Sequence, residues 1–394
     1  MKKTINLIIV VVLIFSLLTA CSTKSNPSSN KEGINLGASK VDTSNIYFAT
    51  EFSNGLAFIQ YEEDKKTVYC IDKTGKELFE LEDCNLLDFA KFNGKIAMIE
   101  TSTSDGYGYI ICDKKGKVYN AADFGASQIV LNTDNHKKAF LDGYIILERR
   151  EESYTGTKIE MSIIDSDFTT LVPFSAELAE IINNDSFNIN GTDYYDGYMY
   201  CREYKGTGAT VLNLRTGTLL SDTKQMEVSK PLISYYSDDI VSSGLEDFLE
   251  GGDIYNELTC EVIAKVKDHE AISQISFIGD IGLATYWSDN GIWFNVIEQN
   301  GTAKFEPLKA DSENISFDGE TILVSSDAVL VKKEDGAVYS SSLKTYDVNG
   351  NLLGELVVEG TDFYGPIAKL NDGVIWVNNH VTHIPYNSTL DKLF

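Results

Sequence analysis

Beyond residue 40 the apolar positions fall in short runs of alternating character, rich in β-branched and aromatic residues, and each run is broken by a turn cluster. The breaks are of two kinds. The first is Asn-Gly or Asp-Gly, as in Phe52-Ser-Asn-Gly-Leu-Ala-Phe-Ile and Phe92-Asn-Gly-Lys-Ile-Ala-Met-Ile. The second follows some twenty residues on, as Ile71-Asp-Lys-Thr-Gly-Lys and Cys112-Asp-Lys-Lys-Gly-Lys. Asn-Gly and Asp-Gly supply the positive φ that tight hairpins need, so each break joins two antiparallel strands. One strand before the first turn, one after it and one on each side of the second make four per unit. Eight first-turn anchors can be counted: Gly55, Gly94, Gly143, Gly197, Asp239, Asp280, Gly319 and Gly373. The fifth is degenerate, with Ile240-Val241 standing in for a strand. Such units cannot cover both of their faces alone, which predicts an all-β fold, a β-propeller of four-stranded blades. Eight blades is the expected number and seven the next. An open array of hairpins is the alternative, but it would leave edges that closure removes. Sustained amphipathic helix is absent, and the best short candidate, Ser175 to Asn183, sits in a connection between blades.

The first forty residues follow different rules. Lys2 and Lys3 precede a largely apolar run, Ile5 to Leu18, which is followed by Thr19, Ala20 and Cys21. A bilayer-spanning helix needs roughly 20 apolar residues, so this run reads as a secretory signal. Residues 22–40 are rich in Ser, Asn, Lys and Gly without apolar periodicity, the composition of a flexible tether. The expected organisation is a signal at 1–20, a tether at 21–40 and one propeller domain at 41–394.

Two resemblances sharpen this outline. Leu18-Thr19-Ala20-Cys21 resembles the lipobox of bacterial lipoproteins. It implies cleavage before Cys21, a lipid on its sulfur, and anchoring to the cell membrane on the side facing away from the cytoplasm. Acyl chains contribute about 0.8 kcal/mol per buried methylene, so more than one chain gives stable anchoring. The first two units, including Tyr69-Cys-Ile-Asp-Lys-Thr-Gly-Lys and Tyr107-Gly-Tyr-Ile, resemble WG repeats, with Tyr107-Gly108 where Trp-Gly is expected. That family implies a repeat scaffold, often on secreted or surface proteins, and specifies no reaction.

Charge and cysteine usage narrow the partners. With 59 acidic against 33 basic residues the formal net charge is -26, a field that repels nucleic acid and anionic lipid heads. Cys70, Cys84, Cys112, Cys201 and Cys260 are widely spaced and never form C-x-x-C, which fits buried free thiols better than a disulfide framework.

Candidate chemistry is sparse. Ser288-Asp-Asn-Gly-Ile-Trp293 resembles the Asp-box of sialidase propellers, but Trp287 stands where the serine belongs, leaving a hairpin turn. His380 and His383 are three apart, so on a strand they point to opposite faces and share no metal. Asp165-Ser-Asp167 and Asp311-Ser-Glu313 lack a full calcium ligand series and read as turns. No metal or cofactor is expected. The expected function is a non-catalytic binding or scaffolding propeller for a protein or glycan partner outside the membrane. Alternatives are a glycan hydrolase or lyase using Glu246, Asp247 and Asp253, and a purely structural repeat protein. If a ligand face exists, it is expected on the connections between second and third strands, carrying Arg149, Arg150, Tyr154, Tyr204, Tyr286 and Trp287.

Overall fold

A computed structural model describes residues 41–394, apart from 104–105, 132, 155, 184–191, 203–208, 238–248, 268–270, 289, 334–335, 361–366 and 379–382. The leader, Cys21 and the tether lie outside the described residues. Strands assemble into eight antiparallel sheets in chain order, a β-propeller of eight blades. Blade 1 is typical, with neighbouring strands Ile46–Ala49, Leu56–Tyr61, Asp64–Asp72 and Glu77–Leu81. The eighth blade shows three strands and gains its fourth through a bridge between Tyr386 and Lys392. Blade 7 carries an extra hairpin: Val329–Lys333 pairs with the first half of the long strand Gly336–Asp347.

Alternation explains the packing. In Leu56–Tyr61, Leu56 and Phe58 face the seam with blade 2, while Ala57 and Ile59 face the seam with blade 8. Both faces are covered, so Leu56 to Ile59 reads as continuously apolar, the signature of a doubly buried strand. Each of the eight seams holds its own cluster of buried side chains. At the closing seam Phe52 stacks on Trp376, and Phe394 packs edge-on against that indole. Every blade is continuous in sequence, so this seam closes without strand exchange, through side chains and a few hydrogen bonds.

The second turn recurs in all eight blades, with a left-handed residue three or four positions after the one that opens it. The left-handed residues are Gly75, Gly116, Phe168, Gly217, Cys260, Gly301, Gly350 and Leu390. In most copies the opening Asp or Asn also accepts from backbone amides two and four residues on, as Asp72 Oδ1 does from Thr74 at 2.8 Å and Lys76 at 3.1 Å. The eight copies fix the blade number at eight rather than seven. They also correct the fifth unit. Its second turn is Asn256 to Cys260, and its strands are Ile233–Tyr235, Asp253–Asn256 and Val262–Lys265. Asp239, Ile240 and Val241 lie in the connection at 236–252 and outside the described residues. Pro231 and its neighbours occupy the first-turn position there, without the Asn-Gly or Asp-Gly pair that marks six of the other blades.

The first-turn residues also rivet neighbouring blades. Asn54 donates to the Phe92 carbonyl, Asn93 to that of Phe140, and Asp142 accepts from the Tyr194 hydroxyl. Asp196 accepts from the Ser229 amide, Asp318 from Gly373, and Asp372 from Gly55, which closes the ring. A turn residue thus both bends its own hairpin and satisfies a polar group of the next blade.

The helix Ala176–Ile182, capped by Ser175, occupies the expected place between blades. A second helix, Asp134–Leu141, is inserted between the first two strands of blade 3. Among the described residues no helix is long and apolar enough to cross a membrane. Cys70, Cys84, Cys112 and Cys260 are free thiols; the first three are buried in the seam between blades 1 and 2. Burial pushes the thiols of Cys70 and Cys112 well above their ordinary pKa.

Candidate functional site

The inserted helix Asp134–Leu141 changes the face formed by the first and second turns. Lys138 and Leu141 of that helix, with Asp142 and Tyr144, form one wall of a cleft of about 640 Å³. Tyr194, Tyr195 and Asp196 from the first turn of blade 4, Arg215 from its second turn and Ser229 from blade 5 complete the lining. A cleft of this size falls within the range of small-molecule sites.

Its polar groups are fixed to one another. The Tyr194 hydroxyl donates to Asp142 Oδ2 at 2.8 Å and accepts from the Gly197 amide at 2.8 Å. Arg215 pairs with Asp196 Oδ1 at 2.8 Å, its guanidinium 5.3 Å from the ring centre of Tyr198 and 5.9 Å from that of Tyr144. The Tyr195 hydroxyl donates to the carbonyls of Lys230 and Pro231, tying the floor to blade 5. Gly197, at φ 76°, makes this packing possible, because a Cβ there would lie 2.9 Å from both Arg215 Cζ and the Tyr144 hydroxyl.

The two carboxylates are pushed apart. Partial burial raises Asp142, the Tyr194 hydrogen bond opposes that rise and the Asp196 charge adds to it. Asp142 as a whole is exposed at the cleft mouth, so screening keeps the effect small. For Asp196, partial burial also acts upward, but the Ser229 hydrogen bonds and Arg215 outweigh it and hold the carboxyl below its ordinary value. Arg215 loses by burial and gains more from Tyr144 and Asp196, so it stays firmly cationic.

The residues singled out in the sequence lie at the other end of the strands. Tyr154 is fully exposed at the hairpin tip of blade 3, and Trp287 is 56% exposed near the tip of blade 6. Arg149, Arg150, Tyr286 and Trp287 belong to strands rather than connections, because the hairpins extend to two-residue tips. Arg149 is paired with Glu160 and lies 4.5 Å from the Phe174 ring centre, and Arg150 pairs with Glu148 at 3.1 Å. Tyr286 is partly buried, its hydroxyl pKa raised by that burial. Two blades separate the blade 3 group from the blade 6 pair, so the structure does not bring them together. Tyr204, Glu246, Asp247 and His380 lie outside the described residues. Asp253 is buried and accepts from the Glu250 amide at 2.8 Å, closing its own turn. His383 Nδ1 lies 3.2 Å from the Ile46 carbonyl at the closing seam. Among the described residues no group of three or more His, Cys, Asp or Glu side chains is placed to hold a metal ion.

No family model matches the chain, and no curated protein does. Solved structures give distant likenesses. Hsv2 of Kluyveromyces lactis is 10% identical over 87% of this chain and 93% of its own, with a TM-score of 0.31. Sqt1 of Saccharomyces cerevisiae is 9% identical over 91% of this chain and 100% of its own, with a TM-score of 0.34. Prolyl oligopeptidase B of Galerina marginata is 10% identical over 89% of this chain and 51% of its own, with a TM-score of 0.37. At these values no role passes from those proteins to this chain.

Proposed function

We propose that the chain is a lipoprotein anchored through Cys21 on the outer side of the cytoplasmic membrane, acting as a non-catalytic binding propeller for a protein or glycan partner. The leader and the tether support the anchoring. The observation that carries the binding reading is the cleft, whose carboxylates, guanidinium and tyrosine hydroxyls are locked by one another and by backbone groups. Groups held in fixed directions suit recognition, because little ordering entropy is lost when a ligand arrives.

Mass spectrometry of the membrane fraction tests the anchor: Cys21 should be the N-terminal residue and carry acyl mass, and an intact leader refutes it. Capture from cell envelope with the lipidated protein tests the binding reading. A specific partner retained by wild type and lost in Asp142→Asn supports it. Turnover of envelope glycan by the protein, or no specific partner, refutes it.

A further inference from the structure

We propose that the cleft between the first turns of blades 3 and 4 is a saccharide subsite that takes one to three neutral pyranose rings. The inference deepens the binding reading above and rests on it.

Charge balance selects the ligand class. The chain is strongly acidic, yet the cleft lining carries two cations, Lys138 and Arg215, against two carboxylates, Asp142 and Asp196. Arg215 and Asp196 already neutralise each other at 2.8 Å. An anionic ligand would have to settle beside Asp142 in a protein of net charge -26. A cationic one would compete with Arg215 for Asp196 and sit beside Lys138. A neutral polyol brings no charge of its own to desolvate and can use both signs, because each hydroxyl donates to a carboxylate and accepts from an ammonium.

The available groups fit that chemistry. Asp142 spends Oδ2 on Tyr194, and its exposed carboxylate keeps acceptor capacity for a sugar hydroxyl. Lys138, exposed one helical turn before Asp142, supplies donors on the same wall. Tyr144 and Tyr195 offer flat apolar surface for the C–H face of a pyranose, as does the exposed Leu141. Both rings are pre-set, Tyr195 through its hydroxyl and Tyr144 by the guanidinium of Arg215. The cleft is also open at its mouth, which allows a chain of sugars to run out of it.

The test is titration calorimetry of the full chain in a sugar-free zwitterionic detergent, with maltotriose, cellotriose, triacetylchitotriose, trigalacturonate and spermidine as probes. We expect at least one neutral trisaccharide to bind in preference to both charged probes. Asp142→Asn keeps the acceptor for Tyr194 but removes the charge, and should weaken binding at least ~10-fold. Lys138→Ala, on an exposed helix surface, should weaken it by roughly 3-fold or more. Tyr154→Ala, at the other end of the strands, should change nothing. Binding of no neutral trisaccharide overturns the subsite while leaving capture of another partner possible. Preference for trigalacturonate or spermidine overturns the ligand class. Equal binding by wild type, Asp142→Asn and Lys138→Ala overturns the location and leaves glycan binding standing.

Discussion

His136 should make the cleft wall sensitive to acid. Its ring is buried at 4% exposure in the helix Asp134–Leu141, whose first turn is capped by Thr133 Oγ1 accepting from the His136 amide at 3.2 Å. Burial lowers its pKa from 6.5 to about 4, since the imidazolium would lose its hydration there. The open helix therefore takes up a proton before the packed one does. The His136 contribution to stability is fully present above pH 6.5 and falls as pH drops from 6.5 to 4, below which both forms are protonated. Each pH unit inside that window is worth about 1.4 kcal/mol, so moving from pH 7 to pH 5 should cost the helix about 2 kcal/mol.

Native-state hydrogen exchange reads this directly. The amides of Lys137 and Asp142 donate to Thr133 and Lys138 within the helix, and their protection reports its opening. After correction for intrinsic exchange chemistry, protection at pH 5 should be roughly 20-fold lower than at pH 7. In His136→Gln the packed side chain no longer titrates, so this dependence should vanish even if the helix is less stable throughout. Unchanged protection in wild type, or the same pH slope in the variant, would refute the assignment of the effect to His136.

Two further perturbations address the ring itself. Phe52 is fully buried at the closing seam and stacked on Trp376 at 5.8 Å, so Phe52→Ala should cost about 3–5 kcal/mol and open that seam first in hydrogen exchange; a urea midpoint equal to wild type would show that closure does not depend on this contact. Cys260 holds the left-handed position of the fifth second turn at φ 59°, where five of the other blades have glycine, so Cys260→Gly should raise stability by about 1 kcal/mol in thermal melts, and a lower melting temperature would refute the strain argument.

The architecture was legible because one turn chemistry serves every blade. Asp72, Asp113, Asp165, Asn213 and Asp347 each end a strand and accept from nearby amides, and the sequence shows them as a repeating signature. Two copies escaped because geometry survived where residue type did not. Asn256 to Cys260 and Asn387 to Leu390 make the same turn with cysteine and leucine at the position where glycine is the usual marker. The helix Asp134–Leu141 escaped because its eight residues read Asp-Asn-His-Lys-Lys-Ala-Phe-Leu, too short and too polar for a helical period. Its one signal was Thr133 standing as an N-cap before acidic Asp134.

The cleft was less legible for a different reason. Asp142 and Asp196 were visible as turn anchors, and a turn is a complete explanation for an aspartate before glycine. What recruits them is the propeller's own riveting, in which each first turn reaches the next blade. That places Asp142 against Tyr194, 52 positions away, and Asp196 against Ser229, 33 positions away. An inserted helix then raises one side of this rim, and Arg215 from a second turn fills the gap beneath Gly197. No window of sequence contains those parts together. The exposed aromatics at the opposite tips, Tyr154 and Trp287, stand out in sequence because they fall between second and third strands, yet two blades separate them. In a closed ring, residues that look ordinary within each repeat become a site where one repeat departs from its neighbours. Here that departure is the helix of blade 3, and the polar groups beside it were already in place for structural reasons.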